Sequence, residues 1–207
     1  MLEKIKSIGV VPVVKLDDAE KAVPLAKALY EGGLPCAEIT FRTEAAEEAI
    51  RRISAALPEL LVGAGTVLTI EQADRAWAAG AKFLVSPGFD AALVKHALER
   101  GIPVIPSCAT PTEIMAALAL GIETLKFFPA DCLGGLKTLK ALAPVFPRLS
   151  FLPTGGINAQ NLREYLMFEK VIACGGSWMV KADDLEATRA FCAEAIAIVE
   201  EVSSCQK

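Results

Sequence analysis

Residues 123–131 read Glu123-Thr-Leu-Lys126-Phe-Phe-Pro-Ala-Asp131. The pattern is a strand running into a loop, apolar and aromatic in the middle, with Lys126 at its centre. A lysine in a strand covered on both faces is costly, because the ammonium loses its water. Desolvation favours the neutral amine, and a neutral amine is a nucleophile. Two readings of the stretch follow. In one, Lys126 forms a Schiff base with a keto substrate. In the other, this is an edge strand whose lysine snorkels to water.

The surrounding composition favours a buried strand. The chain has 207 residues, 53% hydrophobic and 22% charged, with a mean hydropathy of +0.43. No apolar run approaches the ~18 residues a membrane span needs, and the first residues lack the long apolar core of a signal peptide. The apolar excess is assigned to parallel strands buried on both faces. The formal net charge is −4, without the basic runs that nucleic acid or an anionic membrane surface would call for. Six cysteines stand at 36, 108, 132, 174, 192 and 205, with no C-x-x-C pair and one histidine. That usage predicts reduced thiols, a cytoplasmic protein, and no metal site or cofactor.

Working outward from Lys126, the same strand–helix unit recurs on both sides. A helix over residues 2–8 precedes strands predicted at 9–15, 36–42, 61–67, 82–88 and 102–108, each followed by a helix. The first of those helices is predicted from 18 to 30. The helix before Lys126 has a clear start, with Thr110 as N-cap, Pro111 at the first helical position and Glu113 completing a capping box. After Lys126 come a helix from Gly135 to about 145, strands at 150–156 and 171–177, and helices at 159–168 and 184–202. A spacing of roughly twenty to twenty-five residues per unit predicts a single α/β domain over 1–207. Its expected form is a (β/α)8 TIM barrel with an extra N-terminal helix. A doubly wound open sheet is the rival, but it gives no reason for eight strands to end in similar polar or Gly-rich loops.

In such barrels chemistry sits at the C-terminal strand ends. Alternation along a strand puts Glu38, Thr40 and Arg42 on one face, and Thr124, Lys126 and Phe128 on another. If both faces point inward, an acid, an arginine and a lysine share one pocket, which suits an anionic keto acid. Arg42 can hold a carboxylate, Lys126 can attack the adjacent ketone and Glu38 can move protons. A buried structural salt-bridge network is the competing reading. Pro153-Thr154-Gly155-Gly156 and Cys174-Gly175-Gly176-Ser177 close the last two strands. Paired glycines there suit a phosphate, since their N–H groups can approach an anion closely. Gly63, Gly65 and Thr66 leave space beside Arg42, and the Thr66 hydroxyl is a further carboxylate ligand candidate. Pro87, Pro106 and Ser107 fall at the expected rim. Lys15 is the rival lysine, read as a solvated rim cation. Lys82 falls at the opposite end. His96, Glu44, Glu47, Glu48, Trp77 and Trp178 read as surface or packing residues, and Asp131 and Cys132 carry no specific chemistry.

Several segments together resemble one family. They are Glu38-Ile-Thr-Phe-Arg42, Val62-Gly-Ala-Gly-Thr66-Val67, Ser86-Pro-Gly88, Leu125-Lys126-Phe-Phe-Pro-Ala130, Pro153-Thr-Gly-Gly-Ile157 and Gly175-Gly-Ser-Trp178. Nearly end to end, the chain resembles the 2-keto-3-deoxy-6-phosphogluconate (KDPG) aldolases, which also act in part on 4-hydroxy-2-oxoglutarate (KHG). The resemblance implies a metal-free class I aldolase, commonly a homotrimer, acting on a phosphorylated keto acid. It implies Lys126 as the Schiff-base lysine, Glu38 as general acid/base, and Arg42 and Thr66 as carboxylate ligands. Gly155, Gly156, Gly176 and Ser177 would hold the phosphate, with Thr154, Phe128, Pro87 and Ser107 as candidate lining. Ser107 stands where the family often has glycine, which leaves three substrates open: KDPG, its C4 epimer 2-dehydro-3-deoxy-6-phosphogalactonate, and KHG. A phosphosugar isomerase or epimerase barrel and a non-catalytic binding barrel are the readings from other classes.

Overall fold

The structure, a computed structural model, describes residues 1–205. It opens with helix α1 (Leu2–Ile8), closed by Gly9 in the left-handed conformation. Strands and helices then alternate: β1 (Val10–Val14), α2 (Ala22–Glu31), β2 (Cys36–Thr40), α3 (Ala46–Ala56), β3 (Leu61–Gly65), α4 (Ile70–Ala78), β4 (Leu84–Ser86) and α5 (Ala91–Glu99). The second half continues with β5 (Val104–Pro106), α6 (Pro111–Ala119), β6 (Thr124–Phe127), α7 (Gly135–Leu142), β7 (Ser150–Pro153), α8 (Ala159–Leu166), β8 (Cys174–Gly176) and α9 (Leu185–Cys205).

All the strand pairings are parallel. Six strands form a curled sheet in the order β5-β4-β3-β2-β1-β8, and β6 pairs with β7. Isolated bridges link the two groups. Ser107, just past β5, pairs with Lys126, and Thr154, just past β7, pairs with Gly175. Every residue of β2, β3 and β6 is buried, as a sheet covered on both faces requires. The largest enclosed side chains are Phe83, Phe127 and Phe151, within a continuous apolar core.

Local chemistry sets the helix starts. Asp18, Thr69, Asp90 and Asn158 each accept a backbone N–H of the turn that follows. Thr110 and Glu113 make both bonds of the expected capping box, with Pro111 in the first turn. Several boundaries depart from the sequence expectation; β4 and β5, for instance, are three residues long rather than seven. The segment expected to be helical from 18 is a 3-10 turn over Ala19–Lys21, and α2 starts at Ala22. Pro24 explains this, since its ring would clash with the Glu20 carbonyl in a longer α-helix. Helix α7 ends at Leu142 rather than near 145, because Pro144 cannot continue it. Strand β8 is three residues long rather than seven. The Trp178 ring lies where a Gly176 side chain would be, and the chain turns at Ser177, whose carbonyl accepts the Val180 N–H.

No helix among the described residues is long and apolar enough to cross a membrane. Nor do any three or more His, Cys, Asp or Glu side chains among them cluster as metal ligands would.

Candidate active site

Lys126 is the third residue of β6 and Glu38 the third of β2. Although 88 residues apart in sequence, they meet. Lys126 Nζ–H donates to Glu38 Oε1 at 3.2 Å. Glu38 is 1% exposed and Lys126 5%, so the lysine is buried and does not snorkel to solvent. The second carboxylate oxygen, Glu38 Oε2, is buried without a hydrogen-bond partner among the described residues. A buried carboxylate oxygen left open is costly for stability and marks a place where a proton or a polar group can be received.

The fit of Glu38 depends on its neighbour across the β2–β3 ladder. A Cβ on Gly65 would come within 2.6 Å of Glu38 Cγ and nearer still to Oε1. Gly65 does not have positive φ, so glycine supplies room here and not an unusual backbone.

The pair lines a cleft of about 210 Å³ together with Thr40, Arg42, Thr66 and Thr154. Val13, Pro87 and Phe128 complete its walls. The Phe128 ring is 38% exposed at the mouth, its centroid 5.5 Å from Lys126 Nζ. Arg42 is exposed just beyond β2, where its Nε–H donates to Thr40 Oγ1 at 3.2 Å. Thr66 has φ +55° and is the one non-glycine residue with positive φ among those described. For a β-branched residue this is a strained conformation, costing on the order of 1–3 kcal/mol, and such strain clusters at functional sites.

The Gly-Gly loops lie beside the cleft and do not line it. Gly155 and Gly156 have φ of +96° and +80°, and a Cβ on Gly156 would come within 3.0 Å of Asp131 Cγ. Thr154 Oγ1 is buried and unpartnered, with Gly175 close against it. Gly176 is buried and Ser177 exposed. Ser107, expected as candidate lining, is buried in its bridge to Lys126 and is not among the cleft-lining residues. Lys15 is half exposed and paired to Asp17 at 2.8 Å, outside the cleft. His96 bonds Asp74 at 2.8 Å on the outer helices. Val13 escaped the sequence reading as a wall, and the space at Gly65, expected beside Arg42, is taken by Glu38. Alternation along β1 and the register Thr40↔Gly65 carry those signals only once strand pairing is known.

A buried amine beside a buried carboxylate, with an arginine at the mouth, is an arrangement that can carry out amine-based chemistry on an anionic carbonyl compound. The model of the KDPG and KHG aldolase family matches residues 1–193. The 2-dehydro-3-deoxy-phosphogluconate aldolase of Treponema pallidum (strain Nichols) is 51% identical over 90% of this chain and 89% of its own. The structure of the 2-keto-3-deoxy-6-phosphogluconate aldolase of Zymomonas mobilis ZM4 with 3-phosphoglycerate superimposes with a TM-score of 0.91 at 40% identity, covering 95% of both chains. KDPG aldolase from Legionella pneumophila, with pyruvate captured as a covalent carbinolamine, gives 0.86 at 37% identity, covering 98% of both. The chain belongs to the KDPG and KHG aldolase family, and is therefore a carbon–carbon lyase.

Proposed function

We propose that this chain reversibly cleaves 2-dehydro-3-deoxy-6-phosphogluconate to pyruvate and glyceraldehyde 3-phosphate through a Schiff base on Lys126. The observation that carries the proposal is the buried 3.2 Å contact between Lys126 Nζ and Glu38 Oε1 inside the cleft. The Legionella relative's covalent pyruvate carbinolamine supports the same chemistry.

Lys126 passes a proton to Glu38 and its amine attacks the C2 ketone; Glu38 returns that proton to the carbinolamine hydroxyl, which leaves as water to give the protonated imine and the Glu38 carboxylate. Glu38, directly or through a water, takes the proton of the C4 hydroxyl. The C3–C4 bond then breaks, its electrons flowing into the imine to give an enamine. Glyceraldehyde 3-phosphate leaves. Protonation at C3 and hydrolysis release pyruvate and restore the lysine. Arg42 and Thr66 bind the carboxylate, the strained Thr66 backbone being retained for that purpose. Thr154, Phe128 and Pro87 shape the cleft. Gly155, Gly156, Gly176 and Ser177 receive the phosphate, a role supported by the positive φ of Gly155 and Gly156, which turns the loop at the end of β7; the ligand of the Zymomonas relative, 3-phosphoglycerate, is likewise a phosphate ester.

The proposal includes the frame: a single domain whose eight strands close into a barrel, with α1 beneath. Support comes from the Ser107–Lys126 and Thr154–Gly175 bridges, and from a Glu38–Lys126 bond that joins one strand group to the other. It also includes a cytoplasmic homotrimer. Met115, 64% exposed on α6, offers apolar surface for subunit contact, and sedimentation equilibrium would give the stoichiometry.

Pyruvate release from the phosphorylated keto acid tests the reading. The wild-type protein releases pyruvate and Lys126→Ala does not. Substantial turnover by the alanine variant removes Lys126 from the mechanism. KHG and the C4 epimer, run in parallel, rank the substrates.

A further inference from the structure

Thr40 ends β2 and is 1% exposed. Its hydroxyl has a single proton, donated to the Val14 carbonyl of β1 at 2.9 Å. The oxygen therefore turns a lone pair away from β1, and Arg42 Nε–H donates into it at 3.2 Å. The order of these bonds is fixed by chemistry, because neither a carbonyl nor a guanidinium can exchange roles. The backbone of β1 sets the hydroxyl, and the hydroxyl sets the guanidinium.

Arg42 needs such a hold. It stands beyond the strand end and is exposed, and no carboxylate pairs with it among the described residues. A free arginine in that position samples many rotamers, and each must be given up when a ligand binds. Holding Nε also settles which donors remain. The two terminal nitrogens form a fork that matches a carboxylate end-on.

We propose that Thr40 is a positioning residue for the keto-acid carboxylate, fixing Arg42 through Nε so that its terminal nitrogens face the cleft. The inference rests on the reading of Arg42 as the carboxylate ligand. A contact made equally to bound substrate and to the transition state changes KM and leaves kcat nearly alone. Thr40→Val retains the shape and removes the oxygen. It raises KM for the keto acid about tenfold, with kcat within about twofold. The pyruvate concentration that half-saturates borohydride trapping rises by the same factor. Thr40→Ser keeps the oxygen and keeps the wild-type KM.

A double-mutant cycle with Arg42→Ala separates this role from a general packing role. If Thr40 acts through Arg42, Thr40→Val changes KM less than about twofold in the Arg42→Ala background. An equal rise in both backgrounds overturns the proposal. So does an unchanged KM for Thr40→Val alongside a raised one for Arg42→Ala, a result that leaves the Arg42 reading standing. An unchanged KM for Arg42→Ala overturns the Arg42 reading and the inference with it. If Thr40→Val does not fold, Thr40→Ala takes its place in the cycle, and a Thr40→Ser enzyme with the tenfold KM defect still overturns the proposal.

Discussion

Adding one methyl group to Gly65 should disable the enzyme while leaving it folded. The new Cβ would sit 2.6 Å from Glu38 Cγ and closer to Oε1, where carbon atoms rest at about 3.5 Å or more. The carboxylate stem must therefore retreat by about 1 Å. Glu38 is 1% exposed, so there is little free space to receive it. A misplacement of about 1 Å costs on the order of 100-fold in rate, so kcat for Gly65→Ala falls about 100-fold. Crowding the buried strand destabilises the protein by about 1–3 kcal/mol. Gly63→Ala is the control. It lies two residues earlier on the same strand, and the three atoms nearest its Cβ would all belong to the Phe83 ring, Cε1 among them at 2.5 Å, where those of Gly65 belong to Glu38. It should lose comparable stability and far less activity. The assay is steady-state pyruvate release, with a thermal melt for each variant. Wild-type kcat for Gly65→Ala, or equal loss of kcat in both variants, refutes the reasoning.

Other outcomes follow from the same structure. Thr110→Ala removes the N-cap of α6 and half of its capping box, at a cost of about 1 kcal/mol and a Tm lower by about 2–4 °C; an unchanged Tm contradicts the cap's role. Cys36, Cys108, Cys174 and Cys192 are buried, and burial pushes the Cys108 and Cys192 thiols up to about 12. A thiol reagent at neutral pH should therefore label Cys132 and Cys205 in the folded protein and all six cysteines after unfolding, and rapid native labelling of the other four counts against the packing. The bond from His96, aided by Arg100, holds the Asp74 carboxyl below its usual range. As pH falls, the unfolded chain binds this proton before the folded one, so the pair's stabilisation is present above the unfolded value, about 3.9, and is lost as pH drops through the folded one. Asp74→Asn should flatten the acid limb of a Tm-against-pH curve, and an identical limb refutes the pairing.

What was legible in the sequence was local or periodic. The Thr110-Pro111-Glu113 cap is spelled out within four residues, and its bonds are those expected. Period-two alternation placed Glu38, Thr40 and Arg42 on one face, and all three line the cleft. The contact between Glu38 and Lys126 could only be conditional, because it depends on how strands 88 residues apart are brought together. Gly65 was visible as a small residue, but its purpose depends on the register Thr40↔Gly65, which a single strand does not encode. The start of α2 was expected at 18 and falls at Ala22, because the Pro24 ring excludes the α-turn before it. The Nε bond from Arg42 to Thr40 was out of reach, since alternation says which residues share a face and not which atoms bond.

The most direct measurement is the intact mass of the protein after incubation with pyruvate and borohydride, followed by peptide mapping. The account predicts one reduced pyruvyl group per chain, located on Lys126 and absent from Lys126→Ala. A folded protein that forms no adduct, or that carries it on Lys15, contradicts the Schiff-base assignment.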